Sequence, residues 1–428
     1  KKKSLEGQAG GRERSRRKNQ PKKTPRTGKR VPISGRGPAG RTAGYSRAKQ
    51  GHAVTVFEAL PEPGGMMRVG IPDYRLPPEK LNAEIDIIRK AGVEIKLNTR
   101  IESIDDLFAQ GYDAVFAAPG AHEGMKMGVE GEDARGVFDG ATFLREINLG
   151  RKIDTGDRVA VIGGGNVAID AARASLRTGA RKVTIVYRRT RAEMPASPEE
   201  AEAALEEGIE IMFLAAPVRI DRVGNVLNLM CTRMELGEPD ASGRRRPVPV
   251  RGSEFTTEFD SIIAAIGQTP DIPEGFNLKL GRGNTIQTSS ETLASSTKGV
   301  WAGGDAVSGP ASVIEAIAAG RKAAVSIDKY LGGTGDISEV LAPPSEFSLC
   351  VGKDDGFFEW TRPSMPALPV EKRTDNFEEV ELGLSDEAAA KEGRRCLQCA
   401  VRCVITPPPL PPKPGKNKHR LRQKVASR

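Results

Sequence analysis

Apolar residues in this chain come in short unbroken runs separated by longer amphipathic stretches. That pattern predicts strands buried on both faces, alternating with helices, and hence an α/β fold with parallel sheets. Residues 53–57, 112–118, 158–162, 183–187 and 259–266 each read as such a strand. Helical spacing covers residues 80–91 and 169–176, and short strands follow at 92–97 and 209–214. A short β region is expected around 219–235. The segments ending in Gly120 and Gly267 resemble each other: an acid, an apolar strand, then a turn of small residues. Both are expected where the chain crosses between domains.

Two of the strands run into glycine-rich loops 128 residues apart, Gly35-Arg36-Gly37-Pro38-Ala39-Gly40 and Gly163-Gly164-Gly165-Asn166-Val167-Ala168. In such a loop the first glycine permits the strand-to-helix turn and the second lets backbone approach a pyrophosphate. The third position must be small for helix and strand to pack. The pyrophosphate then meets unpaired N–H groups at the positive end of the helix. Two loops at this spacing suit two dinucleotides, one domain being inserted in the other.

A ribose-reading residue is expected about 20 residues beyond each loop. Glu58 ends the strand 53–57, 18 residues past Gly40, where its carboxylate can accept from ribose hydroxyls. The second loop's strand ends instead in Arg188, Arg189, Thr190 and Arg191. A carboxylate would repel a 2′-phosphate, whereas guanidinium groups bind one in a bidentate fork. The first site therefore reads as FAD and the second as NADP(H) in preference to NAD(H).

The loops differ in their scaffolds. The second follows a clean strand and opens a good helix. The first follows Val31-Pro32-Ile33-Ser34, and proline is disfavoured in a central strand. Its helix, with Arg41, Gly44, Ser46 and Arg47, shows little apolar face.

Composition changes the picture in one respect. The formal net charge is +9. Residues 1–30 hold thirteen Lys/Arg against two Glu, and residues 405–428 hold seven Lys/Arg and no acid, so the body between them is net acidic. Both tails are expected to be disordered. No aromatic residue is interleaved in them, which argues against nucleic-acid binding. No apolar run is long enough to span a membrane. Five cysteines and no secretory signal point to a reducing compartment, the cytoplasm.

Longer motifs carry a family resemblance: residues 64–77 (GGMMRVGIPDYRLP), 163–170 (GGGNVAID), 187–196 (YRRTRAEMPA), 299–305 (GVWAGGD) and 309–314 (GPASVI). Together they resemble the small (beta) subunit of glutamate synthase. Similar chains are NADPH-dependent ferredoxin oxidoreductase subunits and the amino-terminal half of dihydropyrimidine dehydrogenase. The resemblance spans about residues 30–403. It implies a two-dinucleotide flavoprotein fold, a discontinuous FAD-binding Rossmann-like domain with an inserted NAD(P)H-binding Rossmann-like domain.

The expected boundaries are a basic tail (1–28), the leading segment of the FAD domain (29–150), the NAD(P)H domain (151–285) and the returning segment of the FAD domain (286–335). A cysteine-bearing segment (336–404) and a Pro-rich basic tail (405–428) follow. The resemblance further implies that Gly304 and Asp305 meet the ribityl and pyrophosphate side of FAD. It also implies that a helix starting near Pro310 and Val313 aims its positive end at the flavin pyrimidine. Gly65 and Arg68 would line the flavin. Hydride transfer needs no protein acid or base, so no catalytic residue is assigned; His52, His122 and His419 are scattered.

Cys396, Cys399 and Cys403 lie close enough in sequence to ligate an iron–sulfur cluster or zinc. A [4Fe–4S] cluster needs a fourth ligand, from Cys350 or from a partner's thiolate; the alternative is a remnant segment that binds nothing. Cys231 stands alone, which excludes a redox dithiol there. The expected function is electron input: NADPH reduces FAD, and FAD passes electrons to an iron–sulfur or flavin partner subunit. The alternatives are a self-contained NAD(P)H:acceptor reductase and a non-redox scaffold that keeps the fold.

Overall fold

The buried apolar runs do form strands, and most are followed by the helix that covers them. A computed structural model describes residues 25–240, 243–338 and 359–395. In chain order come β1 (Arg30–Ser34), α1 (Pro38–Lys49), β2 (Ala53–Phe57), α2 (Met66–Val69), α3 (Pro78–Lys90), β3 (Glu94–Lys96), α4 (Ile104–Ala109) and β4 (Val115–Ala117). The chain then passes through β5 (Glu123–Gly124) to β6 (Val137–Asp139), α5 (Gly140–Asn148), β7 (Arg158–Ile162), α6 (Asn166–Arg177), β8 (Lys182–Tyr187), α7 (Pro198–Glu206) and β9 (Glu210–Phe213). An antiparallel meander follows, β10 (Ala215–Val223), β11 (Val226–Pro239), β12 (Arg245–Pro249) and β13 (Phe255–Phe259). Last come β14 (Ser261–Ala264), β15 (Gln268–Thr269), β16 (Val300–Ala302), α8 (Asp305–Ser308) and α9 (Val313–Tyr330).

Two parallel five-stranded sheets result, ordered β16-β4-β1-β2-β3 and β6-β14-β7-β8-β9. They are topological copies: β7, β8, β9, β14 and β6 stand where β1, β2, β3, β4 and β16 stand. Because β4 and β16 are neighbours in the first sheet, the second module is an insertion within the first. The antiparallel ribbon β5–β15 pairs Gly124 with Gln268 and forms the double crossing, just beyond the two small-residue turns at Gly120 and Gly267. Each sheet has its own core. Val31, Ile33, Val54, Val56 and Phe116 fill the first, and Val159, Val161, Ile169, Ile185 and Ile263 the second.

The chain enters the second sheet earlier than the expected boundary at residue 150. Val137–Asp139 already pairs with Ile262–Ala264. This edge strand is three residues long and only half-buried, so no apolar run announces it. The return is also earlier than residue 286, since Phe276 packs with Phe57, Leu107 and Val300 of the first module.

Pro32 sits in the central strand of the first sheet, against expectation. Pairing of β1 with β4 begins only at Ile33, so the missing donor falls outside that ladder. Helix α1 solves its lack of large apolar residues by close approach. Ala39, Gly40, Ala43 and Gly44 are buried, and a Cβ on Gly320 of α9 would strike the Ala39 carbonyl. Its arginines go inside. Arg47 meets Asp328 at 3.2 Å and Arg41 reaches the Met67 sulfur at 3.3 Å. Of the expected basic tail, residues 1–24 lie outside the described residues. Thr27 is fixed, its N–H donating to the Gly51 carbonyl at 3.0 Å.

The described residues divide into two compact units, one comprising residues 25–240, 243–338 and 368–381, the other 359–367 and 382–395. Both nucleotide-binding modules belong to the first. In the second, α10 (Asp386–Arg394) is capped by Ser385, and Arg395 donates to the Trp360 carbonyl at 3.0 Å. Cys350, Cys396, Cys399, Cys403 and His419 lie outside the described residues.

Candidate functional site

The two glycine loops are built alike. Gly35 N–H donates to the Phe57 carbonyl at 2.9 Å and Gly163 N–H to the Val186 carbonyl at 3.0 Å. Each turn is thereby anchored on the strand that carries its expected ribose-reading residue. Both first glycines have positive φ, 102° and 144°. A Cβ on Gly35 would run into the Ala118 carbonyl, and one on Gly163 into the Ala265 carbonyl. The turns Ala118-Pro119-Gly120 and Ala265-Ile266-Gly267 therefore press on the loops in matching places. Gly40 is a packing residue, since its Cβ would meet the Gly35 carbonyl.

The middle glycines are different. Gly37 and Gly165 have only open space where a Cβ would stand, and they cap α1 and α6. Each helix thus offers free N–H groups beside a hollow that a side chain would fill, which fits a pyrophosphate. Both hollows open on one cavity of about 980 Å³. Gly37, Pro38, Ala39, Glu58, Gly65, Gly304, Asp305, Pro310 and Val313 line it from the first module, and Gly163, Gly165, Asn166, Val167, Arg188 and Arg189 from the second. A second cavity of about 540 Å³ shares Glu58, Pro119, Gly120 and His122 with the first and is also lined by Gly35, Thr99, Ile101 and Arg145.

Glu58 is buried at the end of β2. Burial pushes its carboxyl above the usual range, while N–H groups of Leu60, Arg36 and Ala59 oppose the shift. Asp305 follows β16. Burial raises it to about 6 against a hydrogen bond from the Ala311 N–H, and Glu315 adds to the rise. Helix α9 starts at Val313, three residues later than Pro310. A reciprocal cap sets that start: Glu315 N–H donates to Ser312 Oγ at 3.2 Å, and Ser312 N–H donates to Glu315 Oε2 at 2.9 Å.

The arginines of the second site divide. Arg188 is exposed and lines the cavity. Arg189 is buried, donating to Asp240 at 2.8 Å and to the Arg245 carbonyl at 2.8 Å. Arg191 does not line the cavity; it pairs with Glu202 at 3.0 Å. Arg244, from the loop between β11 and β12, joins the lining. Asn166 is held by the Ser197 N–H at 3.0 Å.

Arg68 corrects the sequence reading. It does not line the cavity; it donates to the Pro63 carbonyl at 3.2 Å and to Asn82, pinning the preceding loop to α3. The lining residues His122, Met66, Met67 and Tyr187 were missed. For His122 a signal existed, since it follows the small-residue turn that duplicates the one at Gly267. Burial lowers its pKa, Arg145 adding to the effect. Cys231, the free cysteine of the described residues, is buried in β11 away from both cavities, and burial pushes its thiol up to about 12. Among the described residues no His/Cys/Asp/Glu group could hold a metal, and no helix is long and apolar enough to cross a membrane.

Comparison with known proteins agrees with this geometry. The pattern of the pyridine nucleotide-disulphide oxidoreductases matches residues 29–320. The NADP(+)-dependent formate dehydrogenase subunit beta of Moorella thermoacetica is 44% identical over 415 residues, covering 92% of this chain and 56% of that one. The chain thus spans little more than half the length of that relative. The glutamate synthase [NADPH] small chain of Escherichia coli is 39% identical over 327 residues, covering 71% of this chain and 69% of that one. The solved structure of Mycobacterium tuberculosis FprA in complex with NADPH shares the fold, with a TM-score of 0.60 at 21% identity, covering 71% of this chain and 84% of that one. The chain belongs to the pyridine nucleotide-disulphide oxidoreductase family and, within it, to the relatives of the glutamate synthase small chain.

Proposed function

We propose that this chain oxidises NADPH by hydride transfer onto FAD and delivers the electrons to an iron–sulfur or flavin group of a partner subunit. The observation that carries the reading is that two phosphate cradles, each at a helix N-terminus, open on one cavity. Bound FAD would supply a centre that accepts two electrons together and releases them singly.

The chain's own residues hold and orient. In this reading the first module is the FAD domain. Gly37, Pro38 and Ala39 present α1 to the pyrophosphate, Glu58 accepts from ribose hydroxyls, and Asp305 accepts from the ribityl chain. Gly65 packs on the loop at Gly37, where a Cβ would strike the backbone, and lines the cavity beside the ring system; Pro310 and Val313 bring the positive end of α9 to that ring system. Gly35 and Gly40 shape the loop. In the second module, Gly163, Gly165, Asn166 and Val167 form the NADPH cradle. Arg188 meets the 2′-phosphate, with Arg189 as the fixed wall behind it. The Cys396, Cys399 and Cys403 segment, outside the described residues, is the proposed cluster site, and analysis for iron and acid-labile sulfide tests it. The proposed compartment is the cytoplasm.

The test is an anaerobic absorbance titration of the purified chain with NADPH and, separately, with NADH. Bleaching of a flavin band by NADPH at lower concentration supports the reading. A second reading, a scaffold without redox work, is favoured by the proline in the strand before the first loop and the buried arginine in the helix after it, Pro32 and Arg41. A colourless protein that takes up no added FAD would select it.

A further inference from the structure

Arg36 stands between the two glycines that form the first cradle. Its residue is 1% exposed, and none of its three guanidinium nitrogens has a hydrogen-bond partner. Its surroundings leave the charge only partly offset. Burial pulls its pKa down to about 10; the nearby Glu58 and, more weakly, Glu62 oppose that fall, and Arg89 and Arg41 add to it. The Glu58 carboxylate is itself engaged by backbone N–H groups and makes no hydrogen bond to the guanidinium. A buried guanidinium without hydrogen bonds is rare, because the charge keeps its desolvation penalty and makes no hydrogen bond in return. The residue nevertheless lines the large cavity, beside Gly37 and Glu58.

We propose that Arg36 is a pyrophosphate-binding residue of the first site, adding a charged side-chain contact to the backbone N–H groups of the loop. The inference rests on the FAD reading of that site. A guanidinium is a planar fork that matches two phosphate oxygens, and it stays charged when enclosed. The corresponding place in the second loop is Gly164, where a Cβ would strike the Tyr187 ring. The second site therefore has no room for such a residue, and the contact distinguishes the two.

The experiment measures FAD, ADP and riboflavin binding by calorimetry to the wild-type chain and to Arg36→Gln and Arg36→Lys, with thermal melts of each apo chain. Arg36→Gln is expected to weaken FAD and ADP by about 10-fold or more, as for a lost charged hydrogen bond. Riboflavin, which lacks the pyrophosphate, is expected to be unaffected, as is NADPH at the second site. Arg36→Lys should fall between. The apo Arg36→Gln chain should melt no lower than wild type, because a buried unpaired charge has been removed, while its stabilisation by FAD shrinks. Equal or tighter FAD binding by Arg36→Gln would overturn the role of Arg36 and leave the FAD reading standing. Failure of the wild-type chain itself to bind FAD or ADP would overturn both.

Discussion

Arg75 and Asp170 join the two modules. One guanidinium nitrogen of Arg75 lies 2.8 and 2.7 Å from the two Asp170 oxygens, and its Nε lies 2.9 Å from Glu200. Arg75 comes from the segment before α3, Asp170 from the middle of α6. Beside them Tyr74 lies under the Arg177 and Arg173 guanidiniums, 4.1 and 4.7 Å from its ring centre, with Phe377 at 6.2 Å. The segment bearing Phe377 straps both modules. Val380 N–H donates to the Tyr74 carbonyl at 3.0 Å, and Arg373 donates to Glu206 at 3.1 Å.

Arg75→Ala should therefore destabilise the chain. Asp170 is 5% exposed and would be left facing Glu200 without the arginine. Breaking such a pair costs about 3–5 kcal/mol when fully buried. Arg75 is 26% exposed, so about 2–3 kcal/mol is expected in urea unfolding at pH 7.5. Burial already holds Asp170 at about 6, with Arg75 opposing that rise. The penalty belongs to the charged form, and without Arg75 the carboxyl lies higher still, so the penalty should shrink as pH falls towards about 6 and be gone below it. Replacing both residues by leucine should recover much of the loss.

The two adjacent arginines of the second site should part company in mutagenesis. Arg188→Glu removes an exposed side chain that lines the cavity without disturbing packing. The KM for NADPH is expected to rise about 10- to 100-fold, with NADH changed little. Arg189→Glu breaks the pair with Asp240 and the bond to the Arg245 carbonyl. It should lower stability by about 1–3 kcal/mol as well as NADPH affinity. Steady-state kinetics with both nucleotides, alongside thermal melts, separate the two effects.

That division marks what the chain's letters could tell. That the glycine loops and Glu58 would line the cavity was legible because local spacing along a strand, a turn and a helix fixes their places, and the family resemblance pointed to Asp305. Arg189 and Arg68 were not, because their side chains are claimed by partners distant in sequence or folded back on their own loop, Asp240 and Pro63. Pro32 misled because whether a missing donor matters depends on where pairing with the neighbouring strand begins. Edge strand β6 was invisible, being too short and too exposed to leave an apolar run. Arg75 lay inside a recognised motif, yet nothing in its neighbours pointed to α6.

Gly35 should tolerate no side chain. Its φ of 102° is unfavourable for any L-residue, and a Cβ would run into the Ala118 carbonyl. Gly35→Ala is expected to cost about 1–3 kcal/mol of stability and to lower FAD occupancy of the purified protein. Gly37→Ala is the contrast. It meets open space, so the apo fold should be unchanged while FAD affinity falls through filling of the cradle. Melts of the apo chains with flavin content as purified decide between these outcomes.

Asp305 should make the first site sensitive to acid. Burial raises its carboxyl from 3.8 to about 6, so the folded apo chain binds this proton more tightly than the unfolded chain does. Its contribution to stability is then full below pH 3.8 and is lost as pH rises through about 6. The difference amounts to at most about 3 kcal/mol. Asp305→Asn should flatten this region of the stability profile. FAD should behave oppositely. A ribityl hydroxyl donates best to the carboxylate, so binding must expel the proton when the pH lies below about 6. Affinity is expected to fall by up to about tenfold per pH unit there and to level off above it. Fluorescence titrations of FAD between pH 5 and 8 read this directly. A wild-type affinity that is flat across the range would show that Asp305 does not accept from the flavin's side chain.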